Sequence, residues 1–351
     1  MIRENIWLKK WSFKLKVFIK TLIVLLIISF SVIASLIFWF NRQTGNIPVS
    51  GVEFEIKNGD NGYTISKRLY NSGFIRNDLL FVAFIRIFGL DNKIKKGWIL
   101  LEADSSTTKI IKSIINGKFI TQTFTIPEGA NLAQIKEILI KNQIVSEDEL
   151  NDFFKQPNFL SKIGLNGYQS AEGFIFPETY KVYKGSDVSD VFSEMTSLFF
   201  KKMAIIYPDY KNLPKKEFYN RVILASIIER EVKNKDEASI VAGIFLNRIN
   251  IKMKLQSCAT VQYILPKPKE HLLESDLLID NPYNTYLYNG LPPTPIASPG
   301  ANALKAAFFP DKNEFLFFVV KDPVKGTHHF SKTYDEHLIA QKRYKQIKGL
   351  Y

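Results

Sequence analysis

Residues 21–40, TLIVLLIISFSVIASLIFWF, run for twenty positions without a charge. At about 1.5 Å per residue a helix of this length covers roughly 30 Å, the thickness of bilayer hydrocarbon. The run predicts one membrane-spanning helix near the N-terminus. Arg3, Lys9, Lys10, Lys14, Lys16 and Lys20 precede it and only Arg42 follows closely. The positive-inside bias therefore predicts a cytoplasmic basic segment over 1–20 and an extracytoplasmic location for everything after about residue 41. A cleaved signal peptide would end a run of about 7–15 apolar residues on small side chains. Here Leu36, Ile37, Phe38, Trp39 and Phe40 continue it, so the anchor is expected to be retained.

The remaining 300 or so residues must account for themselves in water. With 46% hydrophobic and 23% charged residues in 351, the chain can build two or three packed domains and is not globally disordered. The net charge of +13 gathers partly before the span and is otherwise scattered over lysine-rich helices. No basic block with interleaved aromatics stands out, so nucleic acid is not an expected partner. Anionic lipid head groups or an anionic wall polymer suit the charge, as does a solvated lysine-rich surface with no partner. Cys258 is the only cysteine; it cannot form an intramolecular disulfide and is expected as a small core residue. His271, His328, His329 and His337 lack ligand spacing, and no metal or cofactor is expected.

An internal repeat organises the first part of the exterior. FEIKNGDNGYTISKRLYNSGFI from Phe54 and FTIPEGANLAQIKEILIKNQIV from Phe124 superpose without a gap. They match at Phe54/Phe124, Ile56/Ile126, Gly59/Gly129, Ile65/Ile135 and Leu69/Leu139. Each reads as a strand, a turn at the glycine and an amphipathic helix. After the first copy the pattern predicts a helix over 78–88, a strand over 97–101 and a helix over 106–116, a small α+β module. Paired modules or one duplicated element are both open.

The segment from about residue 160 holds the unusual residues. DVSDVFSEMTSLFFKKM, EFYNRVILASIIEREVKN and DEASIVAGIFLNRIN read as amphipathic helices, with Asp236 placed to cap the third. Within LASIIEREV, Glu229 and Glu231 point about 200° apart on a helix. The stripe through Leu224, Ile227 and Ile228 leads to Glu231, which is expected to be desolvated, whereas Glu229 falls near Lys233 on the polar flank. In NPYNTYLYNGLPPTPIASPG, Pro282, Pro292, Pro293, Pro295 and Pro299 fix φ and remove donors. That predicts a stiff, irregular loop able to hold polar groups out to a ligand, or equally a rigid linker packed on a core. A helix is expected over 301–309, then a strand in FLFFVV leading to THHFS.

EREV after LASII, then GIFLNRI, KLQSCATVQY, NPYNTYLYNGLPPTPIASPG and the late HHFS resemble, in order and approximate spacing, the motifs of the YceG-like (MltG) family of endolytic murein transglycosylases. EGFIFPETY resembles the opening of that family's catalytic domain. The resemblance covers the whole chain. It implies an α+β fold: the anchor at 21–40, a linker at 41–50, a LysM-like module at 51–120 and a mixed α/β catalytic domain at 121–351. It also implies cleavage of peptidoglycan glycan strands between N-acetylmuramic acid and N-acetylglucosamine, leaving 1,6-anhydro ends and so terminating or trimming nascent strands. Peptidoglycan, the inner membrane and cell-wall synthases are the implied partners, and a single-pass inner-membrane protein with a periplasmic catalytic domain is the implied placement. By motif, the catalytic residue is the second glutamate of E-x-E, Glu231, the residue the apolar stripe also singles out. The sequence departs from the family at Val232, often a small hydroxyl residue there, and at Ser257-Cys258-Ala259, more often an acidic residue and a proline.

One carboxylate can suffice for this chemistry. A hydrolase of sugars normally needs two, but a transglycosylase draws its nucleophile, the muramyl C6 hydroxyl, from the substrate itself. A buried, protonated glutamate can then donate a proton to the leaving oxygen and take one back from the hydroxyl. Tyr263, Tyr283 and Tyr286 suit stacking on sugar faces, and Gln256, Asn284 and Thr285 suit hydrogen bonds to N-acetyl groups. Glu229, Thr260, Pro292 and His329 complete the expected substrate-binding set. Glu172 and Glu178, flanking FIFP, are further cleft candidates, although loop carboxylates are mostly solvated. Two other functions stay open: a non-catalytic wall-binding or cell-division scaffold, and a muramidase using water, which needs a second carboxylate within roughly 5–9.5 Å of Glu231.

Overall fold

A computed structural model describes residues 2–42, 46–103, 105–116 and 119–347; of the linker expected at 41–50, residues 43–45 lie outside the described residues. The chain divides into two compact units, Met1–Thr121 and Gln122–Tyr351.

The first unit begins with α1 (Ile2–Asn41), a helix of 40 residues. It outruns the expected span because no glycine or proline interrupts helical propensity before Gly45. Its stretch Lys14–Asn41 is long and apolar enough to cross a membrane, and large side chains such as Leu25, Phe30 and Phe38 are exposed along it. Then follow β1 (Val52–Ile56), α2 (Gly62–Asn71), α3 (Asp78–Ile87), β2 (Gly97–Leu101) and α4 (Thr107–Asn116), within a residue or so of the expected bounds. β1 pairs antiparallel with β2, Phe54 opposite Ile99. Ile56, Ile65, Leu69, Phe81, Ile85, Ile110 and Ile114 close the core under that ribbon.

The second unit opens on the other copy of the repeat: β3 (Thr121–Thr125), α5 (Leu132–Lys141), α6 (Glu147–Lys155), the single turn α7 (Phe159–Lys162) and β4 (Thr179–Tyr183), which pairs with β3. The two copies agree in detail. Gly59 and Gly129 both take positive φ, +82° and +76°. Asn61 and Asn131 both form a capping box with the residue three positions on, Thr64 and Gln134. Both helices end in the same six-to-one bond, Phe74 N–H to Leu69 O at 2.9 Å and Ile144 N–H to Leu139 O at 3.0 Å. That closure needs a left-handed residue: Gly73 supplies it in the first copy (φ +72°) and Gln143 in the second (φ +54°). Each unit therefore carries one β-α-α-β element, the second with a long insertion before its last strand.

Beyond the repeat lie α8 (Val188–Ile206), α9 (Lys215–Glu231), α10 (Ala238–Asn250), α11 (Cys258–Ile264), α12 (Glu274–Leu277), α13 (Ala301–Phe308), the hairpin β5 (Phe317–Asp322) and β6 (Thr327–Ser331), and α14 (Tyr334–Ile347), which packs on that hairpin. α9 is the axis of the unit. It packs against α10, α11 and α13, and every residue from Val222 to Ile228 is buried. The expected amphipathic helix is thus a central one with no polar face over that stretch. α10 also differs: Asp236 does not cap it. The Asn234 side chain instead accepts the Asp236 N–H at 3.2 Å, forming a short 3-10 turn, Lys235–Glu237, and the helix starts at Ala238.

Residues 281–300 contain neither helix nor strand, as the prolines predict, but Thr294–Gly300 is buried throughout. Ser226 of α9 receives the Ile296 N–H at 3.0 Å, and Ser298 exchanges backbone bonds with Gly129 and Ala130 at 2.9 and 2.8 Å. The loop from Thr294 on is part of the core, whereas Pro282, Tyr288 and Pro293 before it are exposed.

Candidate active site

Glu231 is the last residue of α9, and Val232 leaves the helix in extended backbone (φ −108°, ψ 112°). The carboxylate is half-buried. The apolar stripe stops at Ile228, so the desolvation expected for Glu231 is partial, and the end of the helix lets it reach the surface of the core. Its Oε1 accepts the Ser257 hydroxyl and the Ala259 backbone N–H, the latter at 3.3 Å. Oε2 has no hydrogen-bond partner among the described residues. Ser257 precedes α11 and Ala259 lies in its first turn, so the carboxylate stands at the positive end of a short helix. Arg248, Cys258 and Tyr286 all lie within electrostatic reach of Glu231. Arg248 is buried and anchored by the Leu255 and Leu316 carbonyls.

The turn that delivers Ser257 is strained. Gln256 adopts φ +50°, unfavourable for a residue with a side chain. It is held there because its N–H donates to Thr285 O at 3.1 Å and the next N–H, of Ser257, donates to Thr285 Oγ1 at 3.0 Å. Thr260 Oγ1 donates to Ser257 O at 2.8 Å and lies 2.8 Å from Thr285 Oγ1. The two threonines clamp the turn onto the proline-rich loop.

That placement revises several expectations. Thr260, Asn284 and Thr285 are fully buried and their polar atoms are committed within the protein. Asn284 donates to Leu277 O and Ile279 O, both at 2.9 Å, and accepts the Tyr286 N–H at 3.0 Å. These three build the wall instead of facing a ligand. Pro292 is buried. Glu229 points to the N-terminus of α13, accepting the Gly300 N–H at 2.8 Å, and burial raises its pKa. It supports that helix rather than the Glu231 side. His329 is exposed on β6 and lines, with Lys321, Glu336 and Arg343, a separate cavity of about 210 Å³ beside α14. Its neighbour His328 turns the other way, with Nδ1 2.8 Å from Glu237 Oε2. Cys258 is exposed, not a core residue, with its thiol 3.1 Å from the Tyr286 hydroxyl.

Gln256 and Tyr286 remain on the Glu231 side. Gln256 is exposed and Tyr286 half-buried. Tyr263 is half-buried, its ring 5.1 Å from that of Tyr283 and its hydroxyl donating to Glu172 Oε2 at 3.2 Å. Of the two further cleft candidates, Glu172 is enclosed at 2% exposure and Glu178 is exposed, 3.5 Å from Lys202. Sequence reasoning missed Ser257, Ala259 and Arg248 as the surroundings of Glu231. In the sequence Ser257 and Ala259 stand out only as departures from the family pattern, and their adjacency to Gln256 is the available signal.

The YceG-like family matches over residues 54–343. An endolytic murein transglycosylase of Bacillus subtilis is 29% identical over 315 residues, covering 85% of this chain and 86% of the relative. One from Streptococcus pneumoniae (strain ATCC BAA-255 / R6) is 26% identical over 80% of this chain, which spans only 56% of that relative's length. Among solved structures, the crystal structure of a YceG-like protein from Listeria monocytogenes aligns with a TM-score of 0.56 at 30% identity, covering 82% of this chain and 98% of that one.

Proposed function

Given that the chain belongs to the YceG-like family, we propose that it is an endolytic murein transglycosylase, held to the membrane by α1, that cleaves glycan strands with Glu231 as its single acid and base. The observation that carries this reading is the pair of donors, Ser257 Oγ–H and Ala259 N–H, converging on one oxygen of Glu231 while the other has no partner among the described residues. The relatives named for murein transglycosylation support the substrate class.

Protonated Glu231 donates its proton to the oxygen linking muramic acid C1 to the next sugar, and the C1–O bond breaks. Positive charge develops at C1, and the anionic carboxylate left behind is stabilised by the Ser257 and Ala259 donors. The muramyl C6 hydroxyl, held in the same sugar at high effective concentration, attacks C1 and returns its proton to Glu231. The product is a 1,6-anhydro ring and no water is consumed. Gln256 and Tyr286 are the side chains we assign to the glycan among those expected. The β-α-α-β element of the first unit is assigned as a LysM-like module that keeps the enzyme on the strand, and α1 confines cleavage to strands near the membrane, where synthases release them.

Digestion of purified sacculi followed by mass spectrometry tests the reading. Anhydro-muropeptides from internal cuts support it. Reducing ends indicate a water-using muramidase, and intact strands a scaffold.

A further inference from the structure

Glu172 is the least exposed carboxylate among the described residues, at 2%, and the reaction above does not use it. Its two oxygens accept the Leu132 N–H at the start of α5 at 2.9 and 3.1 Å, and Oε2 also accepts the Tyr263 hydroxyl. Lys136 on α5, Tyr219 on α9 and Tyr263 on α11 are the titratable groups that face it. The Tyr263 ring rests on Tyr283, whose hydroxyl lies 2.7 Å from Thr294 Oγ1. The buried carboxylate thus joins α5, α11 and the proline-rich loop.

The consequence lies in α11. It has seven residues, too few for its own hydrogen bonds to hold it, so its position depends on what grips its ends. At one end Ser257 and Ala259 meet Glu231; at the other Tyr263 meets Glu172. We propose that Glu172 is a positioning residue for glycan cleavage: through the Tyr263 hydroxyl it holds α11 so that the first turn presents its two donors to Glu231. This rests on the reading of Glu231 as the catalytic group. Ionised Glu172 accepts from both Leu132 and Tyr263. Once protonated, one oxygen carries an O–H donor while the other still accepts, and the bond from Tyr263 loses the charge assistance of a carboxylate acceptor. Burial raises its pKa to about 7, so the grip changes near neutral pH.

The test compares Tyr263→Phe, Glu172→Gln and the double variant with wild type, using the intact chain in detergent and uncrosslinked glycan strands, with Glu231→Gln as control. Tyr263→Phe removes one oxygen and keeps the ring contact with Tyr283, so it stays decisive if Glu172→Gln does not fold. The expected result is a fall in kcat of about tenfold for each single variant with KM within about twofold. The double variant should be no worse than either single one, because both break the same link. The log kcat profile of wild type should carry an inflection near pH 7 that Glu172→Gln lacks. Unchanged kcat in a folded Tyr263→Phe, a defect confined to KM, additive losses, or an inflection that survives in Glu172→Gln overturns the proposal. If Glu231→Gln itself retains activity, the catalytic assignment fails and not this link alone.

Discussion

Glu231 Oε1 accepts the Ala259 N–H at 3.3 Å, so the carboxylate that ends α9 sits on the first turn of α11. That junction separates the two glutamates of EREV, because Glu229, two residues earlier, serves the N-terminus of α13 through Gly300.

The separation makes the two glutamates distinguishable. Glu231→Gln should lower anhydro-product formation by about two to four orders of magnitude, the usual contribution of general acid–base catalysis. Glu229→Gln should leave activity per folded molecule near wild type and cost about 0.3–1 kcal/mol of stability at the α13 terminus. Product yield and thermal unfolding on the same preparations check both; equal activities of the two variants would contradict the assignment.

The proline-rich loop offers a second contrast. Asn284→Ala strips donors from the Leu277 and Ile279 carbonyls inside the protein and should cost about 2 kcal/mol or more, with normal activity per folded molecule. Tyr286→Ala removes a half-buried ring on the Glu231 side and should depress turnover more than stability. Melting temperature and yield measured together decide the order.

Gly173 cannot carry a side chain. Its φ is +82°, and an added Cβ would lie 2.4 Å from Pro295 Cβ and 2.6 Å from Pro295 Cγ, atoms of a rigid ring. Gly173→Ala combines about 1–2 kcal/mol of backbone strain with overpacking of about 1–3 kcal/mol, so the variant should unfold at markedly lower denaturant. A midpoint equal to wild type would show that the loop yields.

Glu172 should leave a pH signature in stability. Its folded pKa, about 7, lies above the unfolded value near 4.3. The folded state therefore holds the extra proton between these values, and the stability contributed below about pH 4 is lost as pH rises through 7. Glu172→Gln should show a flatter stability curve over that window in denaturant melts from pH 4 to 8. Parallel curves for the two proteins would refute the shift.

A chain beginning at Thr44 should remain soluble without detergent and still cut free strands, because the exposed apolar surface of α1 is removed while Glu231 and its partners Ser257 and Ala259 are all retained. A requirement for detergent in the truncated chain would point to a second lipid-facing surface.

Local signals written in consecutive residues were legible without a structure. The uncharged run of α1, the repeat with its matched Phe, Ile, Gly and Leu positions, the bounds of α3, β2 and α13, and the irregularity of 281–300 follow from periodicity and backbone chemistry, which act over a few residues. The motif series also singled out Glu231. Tertiary structure decided which polar groups face outward. Asn284, Thr285 and Thr260 look like ligand-binding residues in one dimension and are spent on clamping a turn, because an irregular loop buried in a core must satisfy its backbone from nearby side chains. Glu172 reads as a loop carboxylate that could line the cleft until α5 and α11 close over it, and Cys258 reads as core but lies exposed. Burial is a property of what packs from elsewhere in the chain. That is why residues 132, 172, 231, 257 and 263, scattered along the sequence, could be brought into one account only by the fold.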